Sequence, residues 1–456
     1  MNNNLSLISL PQGQGNQYTY SILDNIKVDI TVRENPFGIS LDTLFGMAAR
    51  INKKRSFLFV SKVLGKHLPV DPAVPLLTGA ALAARYAEKV YGLTHPYIQE
   101  LIGGITGEHS PNARLLNYHI ELPEPALFIG FAETATALGH SVFDFCENAS
   151  FFHTTREQLL DAESVITFEE EHSHATSHRC YVDASWLDNS RPVVLVDDEV
   201  TTGKTALNII ESIHAKFPRS EYTVVSILDW RSEENRARYR ALEDRLGITI
   251  HEVSLISGEI EAFGSSFEGE QERSAFEGRP AAIKTIDMTG LEIPVSDFVS
   301  AEGLSAPYLK DTGRFGMWDS VKFDASRWME EAASFLAGKR EGERTLCLGT
   351  GEFMFIPMKL ASLMGEGISY QSTTRSPIHP SGRLGYAISH AFSYTSPEHP
   401  DTTNYFYNIG PDMYDEVFLF LEREVPEEAL APLLAQLEKV IPLIHVVPMS
   451  NTTRRV

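Results

Sequence analysis

Cysteine is scarce. Cys146, Cys180 and Cys347 are the three in 456 residues, far apart and without a C-x-x-C pair. Three thiols build no even disulfide framework, so a reducing cytoplasm is the expected location. Long apolar runs are missing too: none approaches the roughly 18 residues that a membrane span needs. The opening MNNNLSLISLPQGQGNQ has no basic start ahead of an apolar core, so neither a signal peptide nor a membrane partner is expected. Cations are in deficit, with 39 Lys and Arg against 61 Asp and Glu and a net charge of -22. Such a chain repels phosphate backbones, which argues against nucleic acid as a partner. An anionic small substrate then needs a local cradle working against the global field.

What is present is ordinary globular material, 43% hydrophobic and 22% charged. The length suggests two or three domains. Residues 1–25 are polar and expected to be loose. Residues 26–32 alternate like a strand, residues 41–52 have helical spacing, and 75–91 have helix composition. The middle alternates strand and helix: strands at 126–131, 151–154, 193–196 and 222–228, helices at 134–143, 206–216 and 233–246. That alternation predicts an α/β fold with a parallel sheet covered on both faces. Residues 258–278 are rich in Gly, Ser and Glu and read as a boundary or a surface excursion. The expected division is a domain over 26–300 and a second over 301–456.

The informative stretch is RPVVLVDDEVTTGKTALNII. Val193, Val194, Leu195 and Val196 form the apolar run that a central parallel strand requires. They lead into Asp197 and Asp198, and then Thr201, Thr202, Gly203, Lys204 and Thr205 open a helix. A helix N-terminus offers free N–H groups and a favourable dipole to an anion. The threonines add hydroxyl donors, and Gly203 lets the backbone close around a phosphate. The two carboxylates suit ribose hydroxyls. A Walker loop is excluded although GKT is present, because that motif needs glycine at position 198, where Asp198 stands.

The segment VVLVDDEVTTGKT resembles the signature of type I phosphoribosyltransferases, which use phosphoribosyl pyrophosphate (PRPP). The resemblance implies a doubly wound parallel sheet, Asp197 and Asp198 on the ribose hydroxyls, and residues 201–205 on the 5′-phosphate. It also implies PRPP and a small base-like acceptor as partners, Mg²⁺ as cofactor, and pentosyl transfer as the reaction. Other parts of such a site have candidates in chain order. Ala132, Glu133 and Thr134 follow a strand as the pyrophosphate turn, with Glu133 departing from the usual Gly-rich or basic pattern. Arg156 suits bidentate phosphate contact. Residues 168–179 carry His172, His174 and His178 among three glutamates, and three readings stand: a zinc site, a solvated loop, or a closing lid in which His174 handles protons. No dedicated protein metal site is assigned. Lys62, Lys66 and His67 are equally readable as pocket cations or an ordinary basic loop.

Shifting the chain by 219 residues lays LFIGFAETATALG on LCLGTGEFMFIPM, and Thr154-Thr155-Arg156 on Thr373-Thr374-Arg375. A period this long indicates two like domains. In the second, Pro426, Glu427 and Glu428 stand where the phosphate loop should be, and carboxylates at a helix start expel a phosphate. The second domain is therefore expected to be α/β and read as a degenerate duplicate, with Arg375 as a residual anion contact. Thr374-Arg375-Ser376-Pro377 resembles the hallmark of the TRSP domain, which follows an orotate-phosphoribosyltransferase-like domain in proteins of bacterial tellurium-resistance and stress clusters. That resemblance implies synthesis of a nucleotide or nucleoside-like metabolite. The rival is a non-catalytic PRPP-sensing regulator or assembly subunit. A homodimer is the expected oligomer.

Overall fold

The computed structural model describes residues 12–51, 56–169, 177–264, 276, 278, 280–296 and 298–452. Its largest element is a nine-stranded sheet whose centre is parallel. In spatial order the parallel strands are Cys146–His153, Ile120–Gly130, Val193–Val200, Glu221–Asp229 and Thr249–Gly264. Read by chain position that order is 2-1-3-4-5. The order reverses between Ile120–Gly130 and Val193–Val200, and ligands of such sheets sit outside the carboxyl ends of the strands at that reversal. The apolar strands explain the arrangement. Val193, Val194, Leu195 and Val196 are all fully buried, as a strand covered on both faces must be. Helices Ala73–Tyr91 and Ala135–Asp144 pack on this sheet and on each other.

Three local expectations are corrected. Residues 12–22 are not loose: strands Gln12–Gln14 and Gln17–Ile22 pair antiparallel, the second against Ile26–Glu34. The helical spacing of 41–52 yields one turn, Leu41–Leu44, followed by the strand Phe45–Ala49. That strand pairs antiparallel with Phe57–Ser61, and the pairing overrides a marginal helix propensity. Gly258 does not begin an excursion, because the strand Thr249–Gly264 runs through it and pairs with Ile26–Glu34.

A second sheet has five strands, all parallel, in the order Ala282–Thr285, Leu443–Ser450, Glu416–Arg423, Thr345–Gly349, Ile368–Ser372. Its register repeats that of the first. Leu127 pairs Ser150, and 219 residues further on Leu346 pairs Ser369. Val193 pairs Leu127, and Val417 pairs Leu346. Side-chain contacts repeat as well: the Ala132 N–H donates to Thr154 Oγ1 and the Gly351 N–H to Thr373 Oγ1, both at 3.0 Å.

The halves also exchange backbone reciprocally. Met317 bridges Phe151 at the edge of the first sheet, and Val70 bridges Tyr370 at the matching edge of the second. The His153 N–H donates to Gly313 O at 3.2 Å and the Ser372 N–H to Gly65 O at 2.7 Å. Strand Ala282–Thr285, ahead of residue 301, belongs to the second sheet, and Met317–Trp318, beyond it, to the first. The chain therefore crosses between the sheets on either side of residue 300.

A buried charge network joins the two halves. Arg314 Nη1 donates to both carboxylate oxygens of Glu422 at 2.8 and 2.9 Å, and Arg423 Nη2 lies 3.3 Å from Glu157 Oε2. Tyr308 donates to Glu157 and lies under both guanidinium groups. Removing one partner of such a group leaves uncompensated buried charge. Glu157→Ala is expected to cost about 3–5 kcal/mol of stability, read as a lower midpoint in denaturant or thermal melting. An unchanged midpoint contradicts it.

Candidate active site

The strand Val193–Val200 ends in the turn that opens helix Lys204–Lys216. Gly203 is the helix N-cap with φ 72°, a left-handed conformation that glycine adopts without cost. A Cβ there would collide with the Tyr239 hydroxyl and approach Arg231 Cδ at 2.9 Å. Tyr239 Oη donates to Gly203 O at 2.9 Å, and the Arg231 guanidinium lies 4.0 Å over the Tyr239 ring. Arg231 is held by Asp229 through bonds of 2.9 and 2.7 Å. The turn thus rests on a fixed platform. The first helical turn carries no acidic residue, and the Lys204 N–H lies 3.4 Å from Thr202 Oγ1, so the positive end of the helix faces the turn.

Across the sheet's reversal point stands the turn after Ile120–Gly130. Its Ala132–Glu133 peptide bond is cis. Glu133 is buried, and its Oε2 lies 3.4 Å from Arg156 Nη1. Its Oε1 is sealed from solvent with no hydrogen-bond partner among the described residues. Thr134 Oγ1 accepts from Lys66 Nζ. This turn and the neighbouring strand end at Arg156 are each tied to the second half. Glu352 Oε1 accepts from the Arg156 N–H at 2.8 Å, and Glu133 Oε2 from the Arg375 N–H at 3.4 Å. These are the same pair of contacts given and returned by matching positions.

Both turns open on one cavity of about 580 Å³. Asp197, Asp198, Thr201, Thr202, Gly203 and Thr205 line it, together with Ala132, Glu133, Thr134 and Arg156. Lys204 does not, and of the basic segment Lys66 and His67 do while Lys62 turns away to Asp42 O at 2.6 Å. Among the lid histidines His172 and His174 lie outside the described residues. His178 is buried, with Nδ1 2.9 Å from Thr154 Oγ1 and its ring stacked on Phe168. Sequence reasoning missed Arg50 in the first half, and Arg375, Ser376, Asp401, Thr402 and Thr403 as walls of this cavity. The repeat marked Arg375, but nothing in one sequence says which cavity it faces. Burial, with Lys66 and Arg50 nearby, pushes the His67 imidazole well below its ordinary pKa, so it is neutral at pH 7.

The family model described as phosphoribosyl transferase matches residues 44–259, and the model of the TRSP domain that lies C-terminal to that transferase domain matches residues 311–437. The chain belongs to this family of phosphoribosyl transferases with a TRSP domain. No curated protein matches it. Among solved structures, adenine phosphoribosyl transferase of Trypanosoma brucei is 11% identical, with 50% of this chain and 82% of that chain covered and a TM-score of 0.30. Hypoxanthine phosphoribosyltransferase of Staphylococcus aureus is 11% identical over 37% and 69%, with a TM-score of 0.20. Adenine phosphoribosyltransferase of Saccharomyces cerevisiae is 12% identical over 35% and 81%, with a TM-score of 0.21. No helix among the described residues is long and apolar enough to cross a membrane.

The TRSP domain has a counterpart of the transferase cavity, reduced to about 20 Å³. Matching register sets Leu421 and Glu422 where the transferase domain has Asp197 and Asp198. Glu422 is bound by Arg314, and helix Glu427–Leu437 starts with two glutamates behind Pro426. Among the described residues, the group able to hold a metal ion is Glu157, Glu398 and His399. Glu157 is already neutralised there: burial pushes its carboxyl up, but Arg314 and Arg423 overcome that and hold it down to about 2.

Glu398 goes the other way. Burial raises it from 4.5 to about 7 against the pull of Arg423. A carboxyl raised on folding stabilises fully below its unfolded pKa and loses that contribution as pH climbs through its folded one. Stability should therefore fall as pH rises from 4.5 to about 7, and Glu398→Gln should flatten that part of a melting-temperature profile. An equal slope in the variant contradicts it.

Proposed function

We propose that the chain is a Mg²⁺-dependent phosphoribosyltransferase that moves ribose 5-phosphate between pyrophosphate and a nitrogenous base, with PRPP as the donor. The observation that carries this reading is the meeting of two turns in one cavity at the sheet's reversal point: the acidic pair with its Thr-Gly turn, and the turn holding Ala132, Glu133 and Thr134. In this reading N–H and hydroxyl groups of residues 201–205 take the 5′-phosphate. Lys204 contributes its backbone N–H rather than its side chain. Asp197 and Asp198 accept from the ribose hydroxyls, and the turn at Ala132 with Arg156 faces the pyrophosphate.

Catalysis is then mostly positioning and electrostatics. The C1′–O bond breaks with its electron pair leaving on pyrophosphate. The acceptor nitrogen forms the new C1′–N bond, and its proton passes to water. Negative potential from Asp197 and Asp198 favours the cationic sugar between these events. The carboxylates of Asp197, Asp198 and Glu133 suit a hard cation with oxygen ligands. Bound Mg²⁺ supplies positive charge against the leaving pyrophosphate. His174 keeps its proposed role, relaying the acceptor's proton to water.

The domain division at residue 300 belongs to this proposal, and so does the origin of the TRSP domain as a degenerate copy, which the shared strand order and register support. So do a cytoplasmic location, a homodimer, and a place in nucleotide or nucleoside-like metabolism linked to stress or tellurium resistance. The test is pyrophosphate release from PRPP with Mg²⁺ across adenine, guanine, hypoxanthine, uracil and orotate, with the nucleotide product identified by mass. Turnover with a base is expected. PRPP bound tightly with no product from any base supports the sensor reading instead.

A further inference from the structure

The transferase cavity is not built by the transferase domain alone. Arg375 enters its wall from the TRSP domain and also borders the smaller cavity with Glu157, Glu352 and Glu398. Its backbone is fixed on several sides. Thr374 and Tyr405 exchange N–H···O bonds of 2.9 and 2.7 Å, the Ser376 N–H donates to Thr374 Oγ1 at 3.2 Å, and the Ile51 N–H to Pro377 O at 3.0 Å. The Arg375 N–H itself points at Glu133. The side chain is half-buried, and its guanidinium has no hydrogen bond or ion pair with the described residues. A partly buried arginine held in place without a carboxylate partner is suited to an anion from outside.

The charge arrangement says which anion. Glu133 sets a buried carboxylate in the turn where pyrophosphate is expected, and Arg156 is partly occupied by it. A pyrophosphate there needs further positive charge. Lys66 bonds Thr134 in that turn, and Arg375 reaches the same turn through its backbone N–H on Glu133 and lines the same cavity. Arg314 and Arg423 of the TRSP domain are the contrast: each is ion-paired to a buried carboxylate, Arg314 to Glu422 and Arg423 across the boundary to Glu157.

Resting on the transferase reading above, we propose that Arg375 binds the pyrophosphate group of PRPP from across the domain boundary, opposite Arg156. The TRSP domain is then a wall of the active site rather than a separate enzyme. The proposal is tested by titration calorimetry of the full chain with magnesium pyrophosphate and, separately, with ribose 5-phosphate. Arg375→Ala should weaken pyrophosphate by about 10- to 100-fold, the range of a lost charged hydrogen bond. Arg375→Lys should recover only part of it. Ribose 5-phosphate should bind the variants and the native chain within about twofold. Unchanged pyrophosphate affinity in Arg375→Ala, no pyrophosphate binding by the native chain, or an equal loss of both ligands overturns the proposal. Arg375-dependent pyrophosphate binding without any ribose 5-phosphate binding upholds it and counts against the ribose assignment instead.

Discussion

Asp197→Asn with Asp198→Asn is expected to lower phosphoribosyl transfer by about 10²- to 10⁴-fold, with the fold intact. Each carboxylate is proposed to accept from a ribose hydroxyl, and a charged hydrogen bond contributes roughly 1.5–3 kcal/mol. Two of them correspond to that range of rate. Asparagine keeps an acceptor oxygen, so the Asp198 N–H bond to residue 197, 2.9 Å in the native chain, survives. The loss is therefore in charge, not in local structure. Steady-state pyrophosphate release and circular dichroism together read the outcome. Full activity in the double variant removes the ribose role of the pair.

Gly203→Val should have an effect of similar size through geometry. The position has φ 72°, which a branched side chain adopts at a cost of roughly 1–2 kcal/mol. Its Cβ also has no space, with Tyr239 and Arg231 directly against it. Arg231 is bound to Asp229 and cannot retreat without breaking a buried ion pair. The turn must move instead, carrying its N–H groups off the cavity. Ribose 5-phosphate affinity is expected to fall by at least about 100-fold, the equivalent of roughly 3 kcal/mol. Affinity for pyrophosphate alone should change little, because its turn is on the neighbouring strand. Native affinity for ribose 5-phosphate in this variant contradicts the phosphate assignment.

The contrast between these two sites shows what the sequence made legible. Strand Val193–Val200 and its turn could be read because the burial rule for a central strand, the acidic pair and the Thr-Gly run each constrain the same few residues. The second half could be read as a repeat because Thr154-Thr155-Arg156 and Thr373-Thr374-Arg375 hold equivalent strand ends at equal spacing. Four of its parallel strands, Ile368–Ser372, Thr345–Gly349, Glu416–Arg423 and Leu443–Ser450, pair in the same order as their counterparts. Other features leave no periodic signal. Gly65 and Gly313 each accept one hydrogen bond from the opposite half's edge strand, and a single bridge has neither a period nor a composition. The cavity wall at Arg375 depends on how two sheets dock, which pairing within either sheet does not specify. Phe45–Ala49 was open to misreading because its apolar spacing fits a helix as well as a strand, and only its partner Phe57–Ser61 decides. The buried charge of Glu157 was hidden for the same reason, since Arg314 and Arg423 are distant in sequence.

The most direct measurement is a crystal structure of the full chain soaked with PRPP and Mg²⁺. The account predicts the 5′-phosphate within hydrogen-bond reach of the N–H groups of residues 201–205, and the ribose hydroxyls on Asp197 and Asp198. A phosphate bound elsewhere, or this turn left empty while PRPP occupies another face of the molecule, would contradict it.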